Sequence, residues 1–206
     1  MILAALGALN GNFEALSSAL REIDDCGIET VCCTGNLAAG GHAPQAVVDR
    51  VRARGLLAVQ GEQDRLTVRY QRKNASLANR LDAGLYDAIG AAYNALSSDA
   101  VEFLRGLPRT RTFTLEGITF AICHGTLTSA AVTLGPDTGD EVFRRQRELS
   151  QAQIVIVGGP QPFFRWVDGT LFVGAGAVDA AGHPGNFVLI DTDRTPWETE
   201  VRPVRP

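Results

Sequence analysis

The sequence predicts an α/β fold, and three observations carry that prediction. Residues 2–59 alternate short apolar runs with helical periodicity. Residues beyond 110 carry two hairpin-turn signals. Five short loops rich in glycine, amides or acids each leave the end of an apolar run. Alternation of strand and helix favours parallel strands with right-handed crossovers, whereas hairpins add antiparallel ones. In parallel sheets the functional loops lie at the carboxyl ends of strands.

Taken in order, Ile2 to Leu6 form an apolar run that reads as a buried strand rather than a signal peptide, because no basic segment precedes it. A helix over about 12–25 places Phe13, Leu16, Leu20 and Ile23 on one face. Thr30 to Cys33 is the second strand; its adjacent Cys32 and Cys33 point to opposite faces and are poor chelators. A helix over about 44–54 buries Val47, Val48 and Val51, and Gly55 can end it in the left-handed conformation. Leu56 to Val59 is the third strand. Residues 65–106 change character, with Arg65, Arg69, Arg72, Lys73 and Arg80 among small and apolar residues. They suggest one or two helices inserted outside the main sheet. Asp99 and Glu102 form a capping box for a short helix that stops at Leu107-Pro108. Thr112–Leu115 and Ile118–Cys123 flank Glu116-Gly117, and Phe163–Val167 and Thr170–Val173 flank Asp168-Gly169; both pairs read as hairpins. A helix near 139–150 precedes the strand Ile154 to Val157, and Arg202 to Pro206 read as a surface tail.

With 206 residues the chain fits one domain, residues 1–206, with a substantial core. Its 45% hydrophobic and 20% charged content is that of a globular protein. A net charge of -4 argues against broad nucleic-acid binding, which depends on phosphate neutralisation by Lys and Arg. No apolar run reaches membrane-spanning length. The four cysteines show no C-x-x-C spacing, and reduced thiols in a cytoplasmic protein are the plainest reading.

The five loops are Gly7-Ala8-Leu9-Asn10-Gly11-Asn12, Gly35-Asn36, Gly61-Glu62-Gln63-Asp64, His124-Gly125 and Gly158-Gly159-Pro160-Gln161. Their order and spacing resemble the metal-binding loops of calcineurin-like metallophosphoesterases, which read D-x-H-G-N, G-D, G-N-H-D, H-G and G-H-x-H. The resemblance spans the chain. Asn10 to Leu16 is similar to the family's H-G-N-L-E-A-L. Pro136 to Glu141 resembles P-D-T-x-D-E, and Val173 to Val178 resembles V-N-P-G-S-V. It implies a four-layer α-β-β-α sandwich of two mixed sheets, like that of the small phosphodiesterase and serine/threonine-phosphatase-like members.

The resembled enzymes hold two divalent metals, such as Mn, Fe, Zn or Ni, and attack phosphate esters with a metal-bound hydroxide. Most of the corresponding ligands are replaced here. Ala8 stands at the first Asp, Asn10 at the first His and Asn36 at the bridging Asp. Glu62 stands at the ligand Asn and Gln63 at the catalytic His. Asp64 is the partner of that absent His, His124 is a retained imidazole, and Gly159 and Gln161 replace the last two histidines. A neutral amide cannot hold two dications together, and a glutamine cannot transfer a proton near neutral pH. Glu62 is expected near the Asn36 amide, within a polar network that replaces the metals. His124 reads either as a pocket imidazole or as a structural residue bonded to backbone. His42 and His183 read as exposed loop residues.

The expectation is therefore a metallophosphoesterase-like protein without cofactor or dimetal chemistry. It would bind a small anionic or polar ligand in the former site, or a protein partner on its surface. The alternative is a phosphatase or phosphodiesterase with one metal or none, using Glu62, Asp64 and His124 as acid/base groups. A nuclease-like nucleic-acid binder would rest only on the breadth of the resembled family and on the Arg65–Arg80 face, which otherwise reads as a solvated helix face.

Overall fold

The architecture follows from three layers of apolar side chains separating two sheets and two sets of helices. The structure, a computed structural model, describes residues 1–179 and 185–205. His183 and Pro206 lie outside the described residues.

In the first half each apolar run becomes a strand and each amphipathic run a helix. β1 (Ile2–Leu6), β2 (Val31–Cys33) and β3 (Leu57–Ala58) pair in parallel. Helix α1 (Phe13–Asp25) starts where the Asn12 side chain accepts the Ala15 N–H at 3.0 Å, and buries Leu16, Ala19, Leu20 and Ile23. Helix α2 (Pro44–Ala53) starts on Pro44, whose missing N–H costs nothing in the first turn.

Between Glu62 and Gly106 there are four helices where the sequence suggested one or two and a short capped helix. They are α3 (Glu62–Thr67), α4 (Tyr70–Ala78), α5 (Ala83–Ala95) and α6 (Ser98–Gly106). Two of the three breaks lie at polar caps: Asp82 accepts the Leu85 N–H and Ser97 accepts the Ala100 N–H. Ser97 therefore caps α6, and Asp99 sits in its first turn rather than at the expected cap.

The second half contains β4 (Thr110–Leu115), β5 (Ile118–Cys123), α7 (Asp140–Ser150), β6 (Ile154–Val157), β7 (Pro162–Val167) and β8 (Thr170–Ala175). Both hairpins turn on an acidic residue and a glycine at positive φ, Glu116-Gly117 and Asp168-Gly169, matching the twist of the flanking strands. Two further strands, β9 (Asn186–Asp191) and β10 (Glu198–Pro203), are absent from the sequence-based elements. Arg202 and Pro203 consequently belong to a strand, not to a tail. The polar β10 becomes a strand only by pairing with β9, as an edge whose last residue can be proline.

One sheet has the order β10-β9-β1-β2-β3 and the other β4-β5-β6-β8-β7; both mix parallel and antiparallel pairs. The layer between the sheets contains Leu3, Ala5, Cys32, Phe120, Ile122, Ile156 and Val173. Cys33 faces the opposite layer, packed with residues of α1, α2, α5 and α6, and a third layer joins the second sheet to Phe143 of α7. The result is the four-layer α-β-β-α sandwich. No helix among the described residues is long and apolar enough to cross a membrane.

The strand-end loops hang from one carboxyl group. Asp64, in the first turn of α3, is fully buried. Its Oδ2 accepts the N–H of Asn36 at 2.8 Å and of Gly61 at 2.9 Å, and its Oδ1 accepts the N–H of Leu37 at 2.7 Å. The Asn36 carbonyl in turn accepts from Leu9 at 3.1 Å and Asn10 at 2.9 Å, and the Leu37 carbonyl accepts from Gly11 at 2.8 Å. A Cβ at Gly61 would lie 2.2 Å from the Asn36 nitrogen, so glycine is what lets these loops meet. Burial pushes the Asp64 carboxyl above its ordinary range, while the Gly61 and Leu37 N–H groups, His124 and the Asn36 N–H pull the other way.

Two outcomes follow from this packing. Asp64→Ala strands three buried N–H donors at about 1–3 kcal/mol each, so urea unfolding should show a loss of at least about 3 kcal/mol; a loss below about 1 kcal/mol contradicts the clamp. Burial pushes the Cys33 and Cys123 thiols up to about 12 and raises Cys32 as well, while Cys26 is exposed. Iodoacetamide at pH 8 should therefore label native protein once, at Cys26, and unfolded protein four times by intact mass.

Candidate functional site

The loops after β1, β2, β5 and β6, together with the start of α3, surround a cavity of about 670 Å³. Seven of the nine residues singled out in the sequence line it: Ala8, Asn10, Asn36, Gln63, His124, Gly159 and Gln161. Glu62 and Asp64 do not. Glu62, on the first turn of α3, turns to Arg65 one turn on, which donates to it through Nε at 2.8 Å and through Nη2. The expected approach of Glu62 to the Asn36 amide is thus replaced by an ion pair. Asp64 points beneath the loops, where backbone N–H groups take the place of the imidazole that the family pairs with it and that is absent here.

Two of the amides in the cavity, Asn36 and Asn10, also serve the backbone. Asn36 adopts φ 55°, and its Oδ1 accepts the Gln63 N–H at 3.0 Å, which ties the second loop to α3. Asn10, at φ 48°, donates from Nδ2 to the Asp179 carbonyl at 3.1 Å. Its Oδ1 is buried with no hydrogen-bond partner among the described residues. Ala8 pairs with Ala177 as an isolated parallel bridge, and its carbonyl accepts the Val178 N–H at 3.0 Å. That contact is close because Gly7 lacks a side chain; a Cβ there would sit 1.6 Å from the Gly176 carbonyl oxygen. Gly174 to Gly176 thus act as packing and turn residues.

His124 is buried on the wall of the cavity, with Nδ1 2.7 Å from the Thr34 carbonyl oxygen. A carbonyl only accepts, so Nδ1 carries the proton and Nε2 keeps its lone pair in the neutral ring. Both readings of this residue therefore describe it: it is anchored to backbone and it faces the cavity. His42 is exposed in its loop.

Sequence reasoning missed Asp179, Asn186 and Thr133, which also line the cavity. Asp179 accepts the Asn12 Nδ2 at 3.0 Å. Its only sequence signal is its place one residue beyond the Val173–Val178 segment. The lining carries one carboxylate, Asp179, one imidazole, His124, and the amides Asn10, Asn36, Gln63, Gln161 and Asn186; it has no Lys or Arg among the described residues. Nowhere among the described residues do three or more His, Cys, Asp or Glu side chains group as metal ligands do. Two divalent ions need several neutral imidazoles and a bridging carboxylate, and this donor set does not fit them. What it can do is exchange hydrogen bonds with a polar molecule.

Residues 1–195 match the calcineurin-like phosphoesterase superfamily domain. Comparison with curated proteins returned no match. Among solved structures, a hypothetical protein from Pyrococcus horikoshii OT3 superposes with a TM-score of 0.88 at 18% identity, over 99% of this chain and 88% of that one. A metallophosphoesterase from Sphaerobacter thermophilus gives a TM-score of 0.74 at 15% identity, over 100% and 89%. Vacuolar protein sorting 29 from Cryptosporidium parvum gives 0.58 at 13% identity, over 100% and 98%. At these identities the superpositions speak for the fold, and they agree with the match that runs from β1 to beyond β9. The chain belongs to the calcineurin-like phosphoesterase superfamily.

Proposed function

We propose that this chain is a binding member of the superfamily, using the cavity at its strand ends to hold a small polar ligand or support a protein partner, without dimetal hydrolysis. One observation carries the reading: the two acidic residues of the third loop are both committed elsewhere, Glu62 to Arg65 and Asp64 to three backbone N–H groups. The remaining positions offer amides, small residues and the imidazole of His124. Five amide side chains around one cavity favour a ligand with both donors and acceptors, such as a hydroxylated or amide-bearing molecule. The lack of Lys and Arg in the described lining favours a neutral ligand over the anionic one considered from sequence. The same fold, at 13% identity, carries a protein named for vacuolar sorting, which supports uses of the fold other than ester hydrolysis.

The alternative reading, a phosphatase or phosphodiesterase with one metal or none, is favoured by His124 alone. Its free Nε2 and the carboxylate of Asp179 belong to one cavity and are the groups there able to move a proton. Glu62 and Asp64 cannot assist, because neither faces the cavity.

The two readings separate experimentally. Protein purified after incubation with manganese should carry far less than one metal per chain by elemental analysis, and should not hydrolyse bis(p-nitrophenyl) phosphate above the blank. Stoichiometric metal with turnover overturns the binding reading. If any turnover is measured, His124→Ala abolishes it under the enzymatic reading and leaves it unchanged if it is a contaminant.

A further inference from the structure

The positive charge missing from the cavity is concentrated a helix away. A second hollow, of about 440 Å³, is lined by Gln60, Arg65, Arg69, Arg72, Tyr93 and Arg105, with Val68 and Gln71 completing it. Four guanidinium groups thus gather around one opening on a chain whose net charge is -4. Of the basic run read from sequence, the structure selects Arg65, Arg69 and Arg72 and adds Arg105 from α6, while Lys73 and Arg80 do not line the hollow.

The arginines are held in two different ways. Arg65 is paired with Glu62 and Arg105 with Glu102, each three residues earlier on the same helix, which fixes where these guanidinium groups lie. Arg69 and Arg72 have no ion pair and no side-chain hydrogen bond among the described residues. The wall behind them is ordered by specific contacts. Tyr93 donates through its hydroxyl to Gln71 Oε1 at 2.8 Å, Gln60 Nε2 donates to the Leu104 carbonyl at 2.8 Å, and the rings of Tyr70 and Tyr93 pack 5.6 Å apart. Tyr70 approaches α5 at Gly90, where a Cβ would lie 2.8 Å from its hydroxyl. Four cations around one hollow repel one another, and two acids offset only half of that charge. A ligand with several closely linked negative charges removes the remainder, and the planar fork of arginine matches phosphate oxygens.

We propose that this arginine-lined hollow is a binding site for compounds with two or more linked phosphate groups. A single phosphate can neutralise one fork; linked phosphates can reach Arg69 and Arg72 together with the positioned Arg65 or Arg105. The hollow is large enough for a di- or triphosphate group, being within the usual range of small-ligand sites. It is distinct from the strand-end cavity, although both borrow residues from α3: Gln63 faces one and Arg65 the other. The site does not depend on whether the superfamily's hydrolytic activity persists.

Calorimetric titration with tripolyphosphate and pyrophosphate, beside inorganic phosphate, tests the proposal. Saturable one-to-one binding is expected, tightest for tripolyphosphate, and weakened by rising salt. Arg69→Gln/Arg72→Gln should weaken it by at least about tenfold, the scale of lost charge-assisted hydrogen bonds. Both side chains are exposed, so the thermal midpoint should hardly move. Arg72→Lys, which keeps the charge without the fork, should fall between the two. Three results overturn the proposal: no saturation at millimolar tripolyphosphate, equal affinity for inorganic phosphate, or binding that survives the double substitution. Binding lost in His124→Ala but kept in the arginine variant assigns the ligand to the other cavity and equally overturns it. A failed metal or hydrolysis assay bears on the strand-end cavity and leaves this outcome independent.

Discussion

The Asp64 carboxyl is the interaction on which the geometry of the strand ends depends. It sits in the first turn of a six-residue helix, too short to be stable alone, and gathers N–H groups from the helix start and from the loop after β2. The loop after β1 then hangs on that second loop through the carbonyls of Asn36 and Leu37. Burying an acid with no exposure to water is costly, and three short hydrogen bonds to backbone are the compensation that makes it tolerable. Backbone donors do not titrate, so the clamp needs neither a metal nor an imidazole to persist. This explains how the loops keep their form although most of the side chains expected to bind metals have been replaced.

Polarity is divided between two places. The strand-end cavity is lined by amides that are partly consumed in holding its own walls: Asn36 ties α3, and Asn10 ties the backbone at Asp179. Its remaining reactive groups are one imidazole and one carboxylate. The charge that recognises anions lies instead on α3, α4 and α6, where four arginines share a hollow. Glu62 belongs to this second region by its pairing with Arg65, even though its place in the sequence assigns it to the first.

Much of the fold was legible in the sequence, for identifiable reasons. Leu16, Leu20 and Ile23 recur at helical spacing, and Gly55 ends α2 at φ 66° as its position suggested. Glu116-Gly117 and Asp168-Gly169 are local turn chemistry that needs no distant partner. The four helices between β3 and β4 were harder, because short helices separated by a capping Asp82 or Ser97 lack enough periodic positions to be told from longer ones. β10 was invisible: its Glu, Thr, Arg and Pro residues acquire strand structure only from the neighbouring β9. Asp179 was missed because its relation to Asn12 spans 167 positions of sequence.

The sequence by itself determined which loops would meet and which side chains they would bring, since order, glycines and apolar runs are properties of the chain. It also determined that most positions matching the resembled family's metal ligands carry no charge, because an amide or a methyl group has none wherever it is placed. Only the tertiary structure decided where the remaining charges point. Glu62 and Asp64 are two residues apart, and the turn of α3 sends one to Arg65 and the other into the protein, so neither reaches the cavity. Arg105, 36 positions beyond Arg69, joins the same hollow because helix packing brings α6 beside α3. Direction and distant neighbours depend on packing, and packing is a property of the folded chain.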